Sequence, residues 1–354
     1  MCWIAHRHRA TPFPALEPVS SPRRQLLAPR LRAVASAPMR VSFAGGGSDV
    51  PPIAPGVGGR VVGTAIDLRV RALVEPFDGG WVRLELSAGE VAMQRRATDP
   101  PSRALAFRLA EAALEATGIG DGVRLRIETD VVPGAGLGGS ASAAVAALAA
   151  LAASIDRVGG SLRLARDAAT LERRRLGVDG GEQDQIFAVS GGIRDLTFDD
   201  DGAVRAEALT VTPELVRAVE AGLLLVDSGS RRVSGEILGR TPRRPEITAE
   251  LVAAAGDVAR GLADGSLERV LAGMRRNAVA KVQRHPEASA EASALAARLS
   301  PLGAEVVRVC GAGGGGHVLV WAPPALHAGI TAALAGCVVR RPRIAAEGVR
   351  IEEG

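Results

Sequence analysis

The chain has 354 residues, 47% hydrophobic and 23% charged, enough apolar content for two cored domains and too much for a disordered chain. Its formal charge of +4 sits at the front, because residues 1–36 hold six arginines against Glu17, a net +5 that leaves −1 for the rest. With no tyrosine and 3% aromatic residues the body lacks a basic, base-stacking surface, so nucleic acid is excluded as a partner.

Residues 1–34 are Arg- and Pro-rich without the apolar core of a signal peptide, and read as a disordered basic tail outside the fold. From residue 35 onward, apolar pieces at 40–44, 60–74 and 81–86 alternate with Gly and Pro clusters, which predicts strands and turns. Residues 99–115 predict a helix, and 122–130 a strand with Val123, Leu125 and Ile127 on one face. A glycine-rich turn over 133–142 opens a helix over 143–155, with Val145, Leu148, Leu151 and Ile155 as its apolar stripe. A second helix over 161–176 stops at Gly177, a polar loop covers 179–184, and 191–198 is a strand followed by a turn at 199–202. A domain boundary is placed near residue 205, giving domains 35–205 and 206–354. Beyond it come a strand over 223–226, then helices through 236 and over 250–264 and 266–281. The last unit is strand 305–310, glycine loop 311–316, strand 317–321 and a helix near 326–334.

The apolar run 141–154 is shorter than the roughly 20 residues a membrane span needs, so the expectation is a cytoplasmic protein without membrane contact. Cys2, Cys310 and Cys337 have neither zinc nor disulfide spacing. Lys281 is the only lysine, which removes most candidates for a catalytic one.

Gly134-Ala135-Gly136-Leu137-Gly138-Gly139 satisfies the dinucleotide pattern between a strand and a helix. The second strand that pattern needs is missing, since Asp156 falls in a polar stretch before another helix, and NAD is the weakest reading. Ser140-Ala141 stand where a Walker loop needs Lys and a hydroxyl residue. What remains is backbone N–H groups and a helix dipole around an anion, a phosphate loop without lysine. Taken singly, each candidate also has a plain structural reading. Ser140 and Ser142 suit helix caps, Asp49 a turn ahead of Pro51, Asp184 an N-cap, and Glu172 a solvated partner of Arg173 or Arg175.

Pro133 to Ala141 resembles the ATP-binding loop of the GHMP kinases, the family of galactokinase, homoserine kinase, mevalonate kinase and phosphomevalonate kinase. Ala37-Pro38-Met39-Arg40-Val41-Ser42-Phe43-Ala44-Gly45-Gly46-Gly47-Ser48-Asp49 is similar to their N-terminal substrate motif, and Gly311-Ala312-Gly313-Gly314-Gly315-Gly316 to their C-terminal glycine motif. The GGGSD form, with Val50-Pro51-Pro52, Gly58-Gly59 and Thr64-Ala65-Ile66-Asp67, resembles the sugar-kinase branch acting on heptose 7-phosphate or fucose. Val132 and Gly139 depart from the usual loop, where Pro and Ser are frequent.

The resemblance implies an α/β, α+β two-domain fold, with an N-terminal domain like the second domain of ribosomal protein S5 and a ferredoxin-like C-terminal domain. It implies ATP on Pro133, Gly134, Ala135, Gly136, Leu137, Gly138, Gly139, Ser140 and Ala141, and Mg2+ on Ser140 and Glu172. Asp184, twelve residues after Glu172, would be the base or orienting group, with Arg40 beside it. Gly46, Gly47, Ser48, Asp49, Gly313 and Gly314 would line the sugar, and Arg231 would grip a distal phosphate. The implied activity is phosphorylation of the anomeric hydroxyl of heptose 7-phosphate by a monomer or homodimer. A free-sugar 1-kinase such as a fucokinase, and a catalytically silent ATP and sugar sensor, are the alternatives.

Overall fold

The structure is a computed structural model and describes residues 26–157, 160–175, 177, 180–229 and 244–353. Its first sheet is built on two long strands, β1 (Ala33–Ala44) and β2 (Gly59–Pro76). Nearly every residue of β1 is buried, which its small and apolar sequence allows. The first half of β2 pairs with β6 (Ile193–Phe198) and its second half with β5 (Val123–Thr129), so one strand serves two neighbours beside β1. β3 (Trp81–Leu86) lies parallel to β5, the edge strand β4 (Val91–Arg96) lies beyond it, and β7 (Val204–Ala208) pairs with β6. β12 (Arg350–Glu353) closes the other edge against β1.

Helices α1 (Arg108–Thr117), α2 (Gly139–Ser154), α3 (Ser161–Thr170) and α4 (Gln183–Ser190) cover this sheet. α2 sits at the centre, against β1 and β2 on one side and α1, α3 and α4 on the other. Its alanines are buried all round, so the expected one-sided stripe is corrected to a helix apolar on every face, as a fully enclosed helix must be.

The second sheet has the order β11-β8-β10-β9 and is antiparallel throughout, with β8 (Leu223–Asp227), β9 (Val306–Val309), β10 (His317–Trp321) and β11 (Val338–Arg340). α5 (Pro213–Gly222) leads into it, started by Thr212, whose hydroxyl accepts from the N–H of Leu215. α6 (Pro245–Ala263) packs on β1 and β2, while α7 (Leu267–Arg284) packs on α6 and β9 and touches β1. This helix pair therefore joins the two sheets. α8 (Ala290–Leu299) and α9 (His327–Ala333) share a second apolar cluster with the outer sheet residues.

Several expectations change. Residues 26–34 belong to the fold, because β1 starts at Ala33 and Leu27 exchanges backbone hydrogen bonds with Gly118 and Gly120. The helix expected from 99 begins at 105 with a short 3-10 turn, since Pro100 and Pro101 hold the chain extended, and it stops at left-handed Gly118. The polar loop 179–184 gives way to α4 at Gln183. The boundary at 205 falls inside β7, and the chain's end leaves the second sheet, with Ile344 bridging Ile66 and β12 joining β1. Among the described residues no helix is long and apolar enough to cross a membrane.

Candidate functional site

Arg40 projects from β1 and is buried, and three of its nitrogens have assigned partners. Nε donates to Asp184 Oδ1 at 2.7 Å, Nη2 to Asp184 Oδ2 at 2.8 Å and Nη1 to the Gly136 carbonyl at 2.9 Å. Its own N–H donates to the Leu137 carbonyl at 3.0 Å. One side chain thus binds β1, the first turn of α4 and the first glycine loop together. Burial works against the Arg40 charge, but the Asp184 carboxylate more than offsets it and the guanidinium pKa rises. Gly138, at φ +75°, lies over this pair, and a Cβ there would sit 3.3 Å from Asp184 Oδ2. The first glycine loop therefore runs beside the carboxylate.

Gly138 is the left-handed N-cap of α2 and no side chain caps the helix, so the loop presents first-turn N–H groups as an anion site does. The two serines divide. Ser142 is buried and donates to the carbonyls of Pro38 at 2.9 Å and Gly138 at 3.1 Å, a structural role. Ser140 is exposed and its hydroxyl donates to Glu172 Oε1 at 2.5 Å.

Glu172 stands on a single π-helical turn, Leu171–Arg175, a widened turn of the kind that re-aims side chains at functional sites. Its second oxygen accepts from Gln185 Nε2. Burial foremost, with a further contribution from the Asp184 charge, pushes its pKa up to about 7 against the pull of Ser140 and Gln185. Hydroxyl and carboxylate oxygens are the hard donors that Mg2+ selects. Among the described residues no group of three or more His, Cys, Asp or Glu could hold a metal ion. A buried carboxylate with so weak a hold on its charge fits a cation's ligand.

Asp49 ends the first motif. Its Oδ1 accepts from the N–H of Gly47 at 3.1 Å and Gln183 Nε2 at 2.7 Å, while Oδ2 is buried without a hydrogen-bond partner among the described residues. Burial, then the Asp184 charge, raises its pKa. Gly181 packs so tightly on it that a Cβ would overlap Oδ2 at 1.8 Å.

Gly46 faces Ser42 and Gln183, and Gly47 faces the Arg284 guanidinium. The Ser48 hydroxyl supports the turn, donating to the Gly45 carbonyl at 2.8 Å and accepting from the N–H of Arg60 at 3.0 Å.

The third glycine loop joins β9 to β10 as a hairpin and braces the first. Gly311 abuts the Gly136 carbonyl, Gly316 abuts Ala135, and His317 reaches the Ala135 carbonyl through its N–H at 2.9 Å and its Nδ1 at 3.1 Å. Gly313 and Gly314 pack instead on the turn between α7 and α8, where the Gly314 N–H donates to the Ala288 carbonyl at 2.6 Å. That N–H is committed, so Gly314 acts in bracing. Arg231 lies outside the described residues.

Sequence reading missed Gln183 and Gln185, which hold Asp49 and Glu172, because α4 was not foreseen. It also missed a stripe on α7. Asn277 Oδ1 accepts from the N–H of Gly45 at 2.8 Å, and buried Lys281 donates to the Gly311 carbonyl at 2.6 Å. Polar residues at 277, 281 and 284, spaced i, i+4, i+7 on an otherwise apolar helix face, were the available signal.

Residues 104–192 match the family described as GHMP kinases N terminal domain. The chain is 28% identical over 226 residues to a bifunctional fucokinase/GDP-fucose pyrophosphorylase of Arabidopsis thaliana, covering 58% of this chain and 21% of that protein. It is 30% identical over 113 residues to a D-glycero-alpha-D-manno-heptose 7-phosphate kinase of Campylobacter jejuni, covering 32% of this chain and 33% of that one. The matches thus span between a fifth and a third of the length of these curated relatives. Among solved structures, a D-glycero-D-manno-heptose 1-phosphate kinase from Bacteroides thetaiotaomicron superposes with a TM-score of 0.76 at 19% identity over 91% of this chain and 99% of that one. The fold is that of these kinases.

Proposed function

We propose that this chain, which carries a GHMP kinase N-terminal domain on the GHMP kinase fold, is an ATP-dependent sugar kinase acting on the anomeric hydroxyl of heptose 7-phosphate. The observation that carries the reading is the unit in which Arg40 grips both oxygens of Asp184 and also holds the Gly136 carbonyl of the first glycine loop. A phosphate on the α2 N-terminus and a hydroxyl on Asp184 are then held side by side, the positioning that phosphoryl transfer chiefly needs.

In this mechanism the N–H groups at the start of α2 receive the nucleotide phosphates. Asp49 Oδ2, buried and lacking a partner, accepts from a sugar hydroxyl and fixes the ring. Asp184 receives the proton of the attacking hydroxyl, and Arg40 holds that carboxylate in place through both of its oxygens. Ser140 and Glu172 would hold Mg2+, which when bound offsets charge on the transferred phosphate. Gln185 keeps Glu172 turned toward Ser140.

A free-sugar 1-kinase is the second reading, favoured by the longer of the two curated matches, to a bifunctional fucokinase. Measured ADP release with Mg2+ and ATP against heptose 7-phosphates, fucose, galactose, mevalonate and homoserine decides between them. Turnover with a heptose 7-phosphate supports the first reading and turnover with fucose the second. ATP binding without turnover on the whole panel refutes both in favour of a sensor.

A further inference from the structure

The first glycine loop has no lysine, yet the one lysine of the chain ends up at its back. Lys281 is buried on α7, and its ammonium donates to the carbonyl of Gly311, the residue that abuts Gly136. Beside it on β9, Arg308 is 2% exposed. Its Nη1 donates to the Val309 carbonyl at 3.2 Å, and Nε and Nη2 are buried without hydrogen-bond partners. The groups acting most strongly on Lys281 are Arg308, Arg40, Arg284 and the Cys310 thiol, and no carboxylate stands among them. Among the described residues neither cation forms an ion pair with a carboxylate. A buried cationic group without a counter-charge is costly to keep charged, so a fold that places two such groups at one spot is built for an anion from outside.

We propose that Lys281 and Arg308 are the cationic floor of the phosphate subsite where the first and third glycine loops meet, with Lys281 the positioning residue that fastens Gly311 and supplies the charge the lysine-free loop lacks. This rests on the kinase reading. The anion is a phosphate oxyanion of the nucleotide, held by loop N–H groups in front while the two side chains act from behind.

The cluster also sets a proton linkage. In the empty protein, burial first and then the neighbouring Arg308, Arg40 and Arg284 push Lys281 down to about 7. Around it, burial, Arg284 and Lys281 hold His285 down at about 4, burial holds Arg308 at about 10, and burial raises the Cys310 thiol. At pH 8 Lys281 is therefore the member of this cluster that gains a proton when an anion arrives. Glu172, on the far side of the loop, also titrates near 7, so the control must leave it in place.

Calorimetry of the full chain with a non-hydrolysable ATP analogue, at pH 8 in two buffers of different ionisation enthalpy, tests this. Wild type takes up more protons per nucleotide than K281R, which is charged throughout. K281R keeps affinity, whereas K281M and R308M each lose it on the order of tenfold. Equal proton uptake in wild type and K281R, or wild-type affinity in K281M, overturns the inference and leaves the kinase reading intact. No binding of the analogue to wild type overturns both.

Discussion

Asp184→Asn removes one charge and almost no volume. Among the described residues Asp184 is the sole carboxylate bonded to Arg40, through hydrogen bonds of 2.7 and 2.8 Å, and the Arg40 side chain is only 6% exposed. An amide still offers one oxygen but turns its NH2 toward a guanidinium N–H, leaving one donor facing another. Breaking a buried pair from one side costs about 3–5 kcal/mol, and the 27% exposure of the Asp184 side chain puts this case at or below the low end. Stability should fall by about 2–3 kcal/mol. The larger effect is on turnover. Loss of the proton acceptor removes about 10²–10⁴ in kcat. The α2 N-terminus and the Ser140–Glu172 hydrogen bond stay in place, so ATP affinity should change less than about threefold. The assay is single-turnover phosphorylation with ATP affinity measured separately, alongside urea unfolding of Asp184→Asn and of the Arg40→Met/Asp184→Asn pair. The pair should be destabilised by less than the sum of its single variants, because the second change removes the charge the first left stranded. A kcat within tenfold of wild type in Asp184→Asn refutes the assigned role, and strict additivity refutes the coupling.

The two serines of the loop should separate cleanly. Ser140→Ala raises the Mg2+ concentration needed for half-maximal turnover, while Ser142→Ala lowers stability by about 1 kcal/mol and leaves the Mg2+ dependence alone. The opposite pattern would reverse their roles. Gly181→Ala, with its new methyl overlapping Asp49 Oδ2, should raise the acceptor KM far more than the ATP KM, read from initial rates. Equal changes would remove Asp49 from the sugar site. For the ligand-free protein, Lys281 has a folded pKa of about 7, below its unfolded value of 10.5. Between these two values the unfolded chain holds a proton that the native state has lost, so native stability rises with pH across that window, by up to about 1.4 kcal/mol per unit. The wild-type urea midpoint should therefore gain on that of Lys281→Met between pH 7 and 9, and a constant difference would show that Lys281 does not titrate there.

The three glycine loops were legible because their glycines answer local demands. Gly138 needs a positive φ and leaves only a tight 3.3 Å for a Cβ beside Asp184, and that demand is written in the residue itself. The pairing of Arg40 with Asp184 across 144 residues has no local signature. Resemblance supplied it, and spacing could not have. α4 was illegible for a physical reason. It is eight residues long and opens with Gln183, Asp184 and Gln185, whose polar side chains read as loop, yet all three are drawn inward by Asp49, Arg40 and Glu172. Lys281 was passed over because a lysine on a helix is ordinarily solvated. The return of β12 to β1 was hidden by its four-residue length.

The loop around the phosphate is shaped from both sheets at once. Arg40 on β1 holds the Gly136 carbonyl, His317 on β10 holds the Ala135 carbonyl, and Lys281 on α7 holds Gly311 against Gly136. On the proposed reading the first sheet and its helices would therefore supply the helix dipole and the proton acceptor, and the second the brace and the buried cationic groups. Neither half completes a phosphate site alone, since α2 without the brace has a free loop and Lys281 without α2 has no N–H groups in front of it. The α6–α7 pair that spans the sheets fixes the distance between these contributions, with Asn277 anchoring the acceptor loop through Gly45 one turn before Lys281 anchors the phosphate loop. On the proposed kinase reading, this one helix face would set the separation of acceptor and donor, the quantity on which in-line transfer depends.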